Sequence, residues 1–164
     1  MALLVSQFMI NDVFAQEGQS GYKITSPVSG VIKTVNVKPG QMVKKGDLLL
    51  EYDDSLIASN LSEVKAKIQL AKLNKVEAKK EFERAEELYD RTVLSEQELQ
   101  QANVLYSKAL AQYAAAKNEL VHAQWDMDHT KLYAAFSGQV SQIFSYPGQY
   151  VNNKFTAQTL LIIK

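Results

Sequence analysis

Apolar positions in this chain follow two rhythms, and the switches between them divide it into three parts. From Gly21 to Tyr52 the pattern is strand and turn. Val31, Val35 and Val37 fall on one alternating face, Pro39-Gly40 and Lys44-Lys45-Gly46-Asp47 read as turns, and Leu48-Leu49-Leu50 reads as a buried strand. The stretch from Lys131 to Lys164 behaves the same way. Val140 and Ile143 precede a Tyr146-Pro147-Gly148 turn, and Asn152-Asn153 leads into Leu160-Leu161-Ile162-Ile163.

Between them the rhythm is helical. Asp54 to His129 contains no Gly and no Pro in 76 residues, which few structures other than helix tolerate. In its second part Leu99, Ala102, Tyr106, Ala109, Tyr113, Ala116, Leu120, Ala123 and Met127 recur at alternating steps of three and four, a heptad seam. In its first part Leu61, Val64, Ile68, Ala71, Ala78, Phe82, Ala85 and Tyr89 follow the same rule, with Lys75 the one polar interruption. The join lies at Asp90 to Gln97, where Ser95-Glu96-Gln97-Glu98 fits a capping box. The pattern predicts an antiparallel coiled-coil hairpin of about 35 residues per arm, about 50 Å long. Such a hairpin brings its ends together, whereas closing a disordered loop of this length would cost roughly 4 kcal/mol plus a constant.

The two strand segments also repeat one another in sequence. Ser26-Pro27-Val28-Ser29-Gly30-Val31 and Ala134-Ala135-Phe136-Ser137-Gly138-Gln139-Val140 are followed, ten residues on from Gly30 and from Gly138, by Pro39-Gly40-Gln41-Met42-Val43 and Pro147-Gly148-Gln149-Tyr150-Val151. Each segment is too short to bury its own apolar face, so the two are read as halves of one β-sandwich that the helices interrupt. The fold class is therefore α+β. Its expected organisation is a leader at 1–20, a first half-sandwich at 21–53, the helical hairpin at 54–130 with its tip near 90–97, and a second half-sandwich at 131–164.

Composition excludes several functions. The formal net charge is zero, with 46% hydrophobic and 22% charged residues, and no basic stripe alternates with aromatics, so nucleic acid is not an expected partner. Absence of cysteine removes thiol chemistry and Cys-type metal sites. In the leader, Val13-Phe14-Ala15 has signal-peptidase spacing, but no Lys or Arg precedes Leu3-Leu4-Val5 and Asn11-Asp12 interrupts the apolar run. A residual signal peptide and a disordered leader both fit. No stretch reaches the ~20 apolar residues of a membrane-spanning helix.

The order and spacing of these pieces resemble one family. A split lipoyl-like sandwich interrupted by a helical hairpin is similar to the periplasmic adaptors, or membrane fusion proteins (HlyD/AcrA-like), of tripartite efflux pumps and type I secretion systems. The resemblance runs from about Gly21 to Lys164 and includes the Leu94-Ser95-Glu96-Gln97-Glu98-Leu99 tip and the return Thr130-Lys131-Leu132-Tyr133-Ala134-Ala135-Phe136-Ser137-Gly138. The return has Ala135 where the family has Pro. The resemblance implies a periplasmic protein, stacked with copies of itself as a hexamer, that bridges an inner-membrane transporter of RND, ABC or MFS type to a TolC-like outer-membrane channel. It also implies β-barrel and membrane-proximal domains that this sequence lacks, so a fragment, a truncated paralogue or a minimal adaptor is expected.

The sharpest motif within that resemblance is at the tip. Adaptors that dock TolC-like channels resemble one another in an Arg, a Leu four residues later and a Ser seven residues after that, and Arg84, Leu88 and Ser95 match. Arg84 and Leu88 share a helix face beside the seam of Phe82, Ala85 and Tyr89. Leu88 is thus expected off the seam, where with Val93 and Leu94 it would offer apolar surface for a channel to bury, with Arg84 donating to carbonyls or carboxylates. The plainer alternative is that Arg84 pairs with a nearby Glu, Leu88 covers the seam's flank and Ser95 only caps.

Other chemistry is sparse. Lipoyl and biotinyl carriers resemble Glu51-Tyr52-Asp53 but follow it with a lysine, and here Asp54 follows, so no cofactor is expected. Asp126, Asp128 and His129 do not put three ligands on one helical face, and no metal is expected. His122 reads as a solvated helix residue, and Trp125, outside the seam, is expected to pack against the sandwich. No catalytic constellation is visible, so the chain is read as a non-enzyme. The rival reading is a free-standing coiled-coil scaffold that uses the sandwich as a clasp.

Overall fold

The computed structural model describes residues 21–153 and 156–164, and the structural statements below concern those residues; the leader reading at 1–20 lies outside them. Four strands precede the helices: β1 (Tyr22–Thr25), β2 (Gly30–Val35), β3 (Met42–Val43) and β4 (Leu48–Tyr52). Two helices follow, α1 (Ser55–Asp90) and α2 (Glu96–Asp128), and then β5 (Lys131–Tyr133), β6 (Gly138–Ile143), β7 (Tyr150–Val151) and β8 (Thr159–Ile163).

Neither group of four strands makes a sheet alone. One sheet has the order β1-β8-β6-β3 and the other β5-β4-β2-β7, with every pairing antiparallel. Exchanging each strand for its counterpart in the sequence repeat (β1 for β5, β2 for β6, β3 for β7, β4 for β8) converts the first order into the second. The repeat is therefore the mark of an approximate twofold relation inside one interleaved domain.

Individual bonds obey the same relation. Gly40 N donates to Val140 O at 2.7 Å, and Gly148 N donates to Ile32 O at 2.8 Å. Both Pro-Gly-Gln turns place glycine at positive φ, 84° at Gly40 and 86° at Gly148, where a Cβ would be strained. The glutamine closes each turn: Gln41 Oε1 accepts from Lys38 N at 3.0 Å and Gln149 Oε1 from Tyr146 N at 3.2 Å. The Ser-Gly pairs tie the halves together, because Ser29 Oγ accepts from Asn153 N and Ser137 Oγ from Lys45 N, each at 3.0 Å. The chain bends alike at Pro27 and at Ala135. Ser26 N donates to Gln158 O at 3.0 Å and Ala134 N to Asp47 O at 2.8 Å, so the proline is not needed for the bend.

The alternation expected in β2 needs a correction. Ile32, not Val31, is the buried residue, with Ile32 at 1% exposure and Val31 at 40%. The register then shifts between Ile32 and Thr34, which inverts the parity and returns Val35 and Val37 to the interior. Leu49 and Leu50 are both wholly buried because they enter different clusters. Leu49 joins Val43, Val140, Leu161 and Ile163, and Leu50 joins Val28, Ile32, Tyr52, Val151 and Leu160.

The twofold relation fails at one buried pair in a chemically consistent way. Where one cluster has Ala134 and Ile163, the other has Ser26 and Tyr52. Ser26 Oγ donates to Val28 O at 2.6 Å, so its single proton is committed and the Tyr52 hydroxyl is the donor in the Ser26–Tyr52 contact. Burial, the largest influence on this group, pushes the Tyr52 pKa above the usual phenol value. Ser26→Ala should cost about 1–3 kcal/mol by orphaning that hydroxyl, whereas Tyr52→Phe, which leaves Ser26 its Val28 partner, should cost about 0.5–1.5 kcal/mol. Because the folded pKa is the higher one, the wild type should lose stability as pH rises above about 10, and Tyr52→Phe should flatten that loss. Urea unfolding across the alkaline range measures both effects; an equally steep loss in Tyr52→Phe would contradict the assignment.

The helices leave the sandwich through a narrow neck, where Tyr52 N donates to Thr130 O at 2.8 Å and Asp53 N to Val31 O at 2.8 Å. Their contacts run in opposite directions along the chain. Val64 clusters with Ala123, Lys67 bridges to Glu119 at 3.2 Å, Lys75 lies over the Tyr113 ring at 4.4 Å, and Phe82 stacks on Tyr106 at 5.9 Å. As the α1 number rises the α2 number falls, so the helices are antiparallel. The polar interruption Lys75 is accommodated by that cation–π contact, with its ammonium over an aromatic face. At 36 residues and 1.5 Å per residue, α1 extends about 54 Å from the neck.

Candidate docking site at the turn between the helices

The turn joining α1 and α2 is built by two capping devices. At the end of α1, Val93 N donates to Leu88 O at 2.9 Å and Thr92 N to Tyr89 O at 2.8 Å, a Schellman arrangement. Its left-handed position, usually glycine, is filled by Thr92 at φ 60°. A β-branched residue there is strained. Thr92→Gly should therefore stabilise the protein by about 1 kcal/mol, the relief of strain exceeding the entropy of the added glycine. Chemical denaturation measures this, and a loss of stability would contradict it.

The start of α2 carries the capping box expected from sequence. Glu98 N donates to Ser95 Oγ at 3.3 Å, and Glu98 Oε2 accepts from Ser95 N at 2.9 Å and from Ser95 Oγ at 2.6 Å. Donation from the Ser95 hydroxyl, then from its backbone N–H, holds the Glu98 carboxyl below its usual pKa. This contribution is complete above the ordinary glutamate pKa and disappears as pH falls through the lowered one. The Ser95 hydroxyl is thus already engaged as both donor and acceptor.

Between the helices near this turn lies an open groove of about 730 Å³, with a mainly apolar floor that includes Ala85, Leu88, Leu94, Ala102 and Leu105. Arg84 lines it, with Glu81, Glu98 and Lys108 also on its wall. Arg84 Nη1 donates to Glu81 Oε1 at 3.1 Å, and the side chain is otherwise exposed. Arg84 and Leu88 therefore share one surface, while Ser95 stands outside it and reaches it through Glu98, which it orients.

Leu88 does not lie off the seam as expected. It is half-buried, and Tyr89, the expected seam residue, is 41% exposed. The steps Phe82–Ala85–Leu88 are both of three, so the stripe moves around the helix at its last turn, where the chain must cross to α2. Leu94, just past the crossing, meets the same groove. Sequence reasoning missed Leu105 and Lys108. Leu105 is apolar, outside the α2 seam and half-exposed, and that combination was the available signal.

At the other end of the helices, Trp125 does not pack against the sandwich. It is 45% exposed and stacks on His129 with ring centroids 4.0 Å apart. His129 Nδ1 lies 2.7 Å from Trp125 O, so that nitrogen carries the proton and donates. Asp128 Oδ1 accepts from Gln124 Nε2 at 2.9 Å. Among the described residues no group of three His, Cys, Asp or Glu is placed to hold a metal ion, and no helix is long and apolar enough to cross a membrane.

Comparison with known proteins places this architecture. Residues 21–163 match the family described as RND MFP, barrel-sandwich hybrid domain. The uncharacterised protein YdhJ of Escherichia coli is 34% identical over 131 residues, 79% of this chain and 45% of YdhJ. A candidate efflux transporter of Bacteroides eggerthii superposes with a TM-score of 0.62 at 29% identity, over 87% of this chain and 39% of that one. MacA of Actinobacillus actinomycetemcomitans does so with a TM-score of 0.54 at 26% identity, over 86% of this chain and 48% of that one. The chain thus spans less than half the length of each.

Proposed function

This chain belongs to the RND membrane fusion protein family, and from that membership we propose that it acts as a periplasmic adaptor, or as part of one. In this reading α1 and α2 form a coiled-coil hairpin, an inner-membrane transporter is engaged on the sandwich side, and the hairpin tip docks a TolC-like outer-membrane channel. Copies of the chain assemble around the conduit, six in the complete pump. The role is structural and needs no catalysis, and the B. eggerthii neighbour supports efflux over secretion.

One observation carries the reading. Arg84 and Leu88 line a single groove with a mainly apolar floor towards the end of the helices remote from the sandwich, where an isolated hairpin gains nothing from leaving Leu105 exposed and Leu88 and Leu94 only half-covered. A channel built of helical tips can bury Leu88, Leu94 and Leu105 there. It can also offer carboxylates or carbonyls to Arg84, whose guanidinium is paired among the described residues with Glu81 in an exposed contact. Ser95 contributes by fixing Glu98 and the start of α2 at the groove's edge.

The test is site-specific photocrosslinking in cells that express a TolC-like channel. A photoreactive residue at Leu105, on the groove, should crosslink to the channel, and one at Leu73, exposed on α1 away from the groove, should not. Crosslinking from Leu73 alone would point to a scaffold that binds through the sides of its helices.

A further inference from the structure

The twofold relation supplies an internal control for the surface of the sandwich. Strand β2 starts at the neck, where Val31 O accepts from Asp53 N, and runs away from it. Beyond its far end come the Lys38–Gln41 turn and, after β3, the Lys44–Asp47 turn, and the pairing of β3 through β6 and β8 to β1 brings Lys23 to the same end. Lys23, Lys38, Lys44 and Lys45 are all exposed there. At the neck end the counterparts of the last three are Tyr146, Asn152 and Asn153, and the turns close with the same bonds. Lysine is therefore not needed to fold these turns, and its concentration at one end needs another account.

These cations are not used inside the molecule. None of the four forms an ion pair among the described residues. Asp47, the one carboxylate between Gly21 and Leu50, is turned onto the chain, its Oδ2 accepting from Lys44 N at 2.8 Å. Beside the lysines, Met42 and Tyr22 are 71% and 69% exposed, so apolar surface accompanies the charge. The remote end of the helices has the opposite sign, because residues 81–98 hold seven carboxylates and two arginines. The molecule is thus polarised along its length. Salt screens charges farther apart than about 10 Å, so whatever meets one end feels only the charge of that end.

We propose that the lysine end of the sandwich docks directly on an anionic membrane surface, with the ammonium groups of Lys23, Lys38, Lys44 and Lys45 on lipid phosphates and with Met42 and Tyr22 entering the headgroup layer. A lipid surface fits this end better than an acidic protein does. Every cation of residues 21–53 and 131–164 is lysine, and the chain's two arginines, Arg84 and Arg91, lie at the remote end of the helices. Protein interfaces enrich arginine and deplete lysine, whereas a field of mobile phosphates asks for charge and not for the arginine fork. The acidic end of the helices is repelled by the same surface, so the molecule stands on its sandwich with the helices pointing away from the bilayer. Direct contact with lipid goes beyond the adaptor reading, in which the sandwich side meets a transporter, and its test involves no channel, so the two can fail separately.

The experiment is cosedimentation of the full chain with vesicles of equimolar phosphatidylglycerol and phosphatidylcholine, against vesicles of phosphatidylcholine alone. The wild type should bind the anionic vesicles, come off as salt is added, and ignore the neutral ones. One lysine beside an anionic surface is worth about fivefold in affinity, so Lys38→Gln, Lys44→Gln and Lys45→Gln combined should weaken binding about 100-fold. The turns are held through the backbone N–H groups of these residues, which glutamine keeps, so circular dichroism should not change. Lys65→Gln, Lys72→Gln and Lys117→Gln combined remove the same charge from exposed positions on the helices and should leave binding within about twofold. Trp125, the only tryptophan in the chain, lies in α2 past the neck, so its emission should not shift on binding. Equal binding to neutral vesicles, an equal loss in the two triple variants, or a blue shift of Trp125 emission would overturn the proposal. So would absence of binding to the anionic vesicles, which would leave the lysines to an acidic protein surface.

Discussion

Truncating Leu50 to alanine should remove about 2–5 kcal/mol of stability, and truncating Leu161 should remove the same amount to within about 1 kcal/mol. Both side chains are wholly buried. Leu50 shares its cluster with Val28, Ile32 and Val151 and Leu161 with Val43, Val140 and Ile163, and the two leucines correspond through the sequence repeat. Apart from the Ser26–Tyr52 pair that stands in for Ala134 and Ile163, their cavities should be lined by corresponding apolar residues and should relax to a similar degree. Total stability of such a domain is about 5–15 kcal/mol, so either change removes a large part of it. By contrast Leu73→Ala, at an exposed helix position, should move stability by no more than about 0.5 kcal/mol. Urea unfolding of the variants measures these values. A markedly larger loss at one leucine than at the other would show that the halves are not energetically equivalent.

Replacing Leu88 with aspartate has the largest expected effect on binding, a loss of at least about 100-fold in affinity for the channel. A partner that fills the groove would strip water from the new carboxylate and hold it against the apolar floor of Ala85, Leu94 and Leu105. Local damage to the helix must be separated from this effect. Leu88 is half-buried and its carbonyl accepts the Val93 N–H, so the change can also loosen the turn. Leu105→Asp avoids that problem because Leu105 is half-exposed on the groove wall, and it should lose binding to a similar degree with helicity unchanged. Arg84→Asp should cost less, about tenfold, because the arginine is exposed and its contact is screened by solvent.

Sequence was most informative where periodicity meets a special backbone position. The α2 seam from Leu99 to Met127 is half-buried or buried at every expected place, because a helix packed along its length tolerates little drift. Both Pro-Gly-Gln turns and the Ser95–Glu98 box could be read from local chemistry alone. What could not be read depends on register. A bulge after Ile32 inverts the β2 face, and no local signal in Val31-Ile32-Lys33-Thr34 marks it. The exchange of strands between the sheets is also invisible to local pattern, since the repeat says that the halves are alike but not how they interleave. At the tip, the sequence brought Arg84 and Leu88 together correctly. It misplaced Leu88 relative to the seam, because the final turn of α1 follows the crossing of the chain and not the heptad. Trp125 was misplaced for a similar reason: its partner is His129, four residues on in the chain, and not the sandwich.

The central claim, that the tip is a docking site, is tested most directly by a pulldown of the purified chain against a solubilised TolC-like channel, comparing wild type, Leu88→Asp and Leu105→Asp with circular dichroism of each. The account predicts that the channel is retained by the wild type and lost by both variants, with helicity unchanged in Leu105→Asp. Retention of the channel by both variants, or its absence even from the wild type, would contradict it.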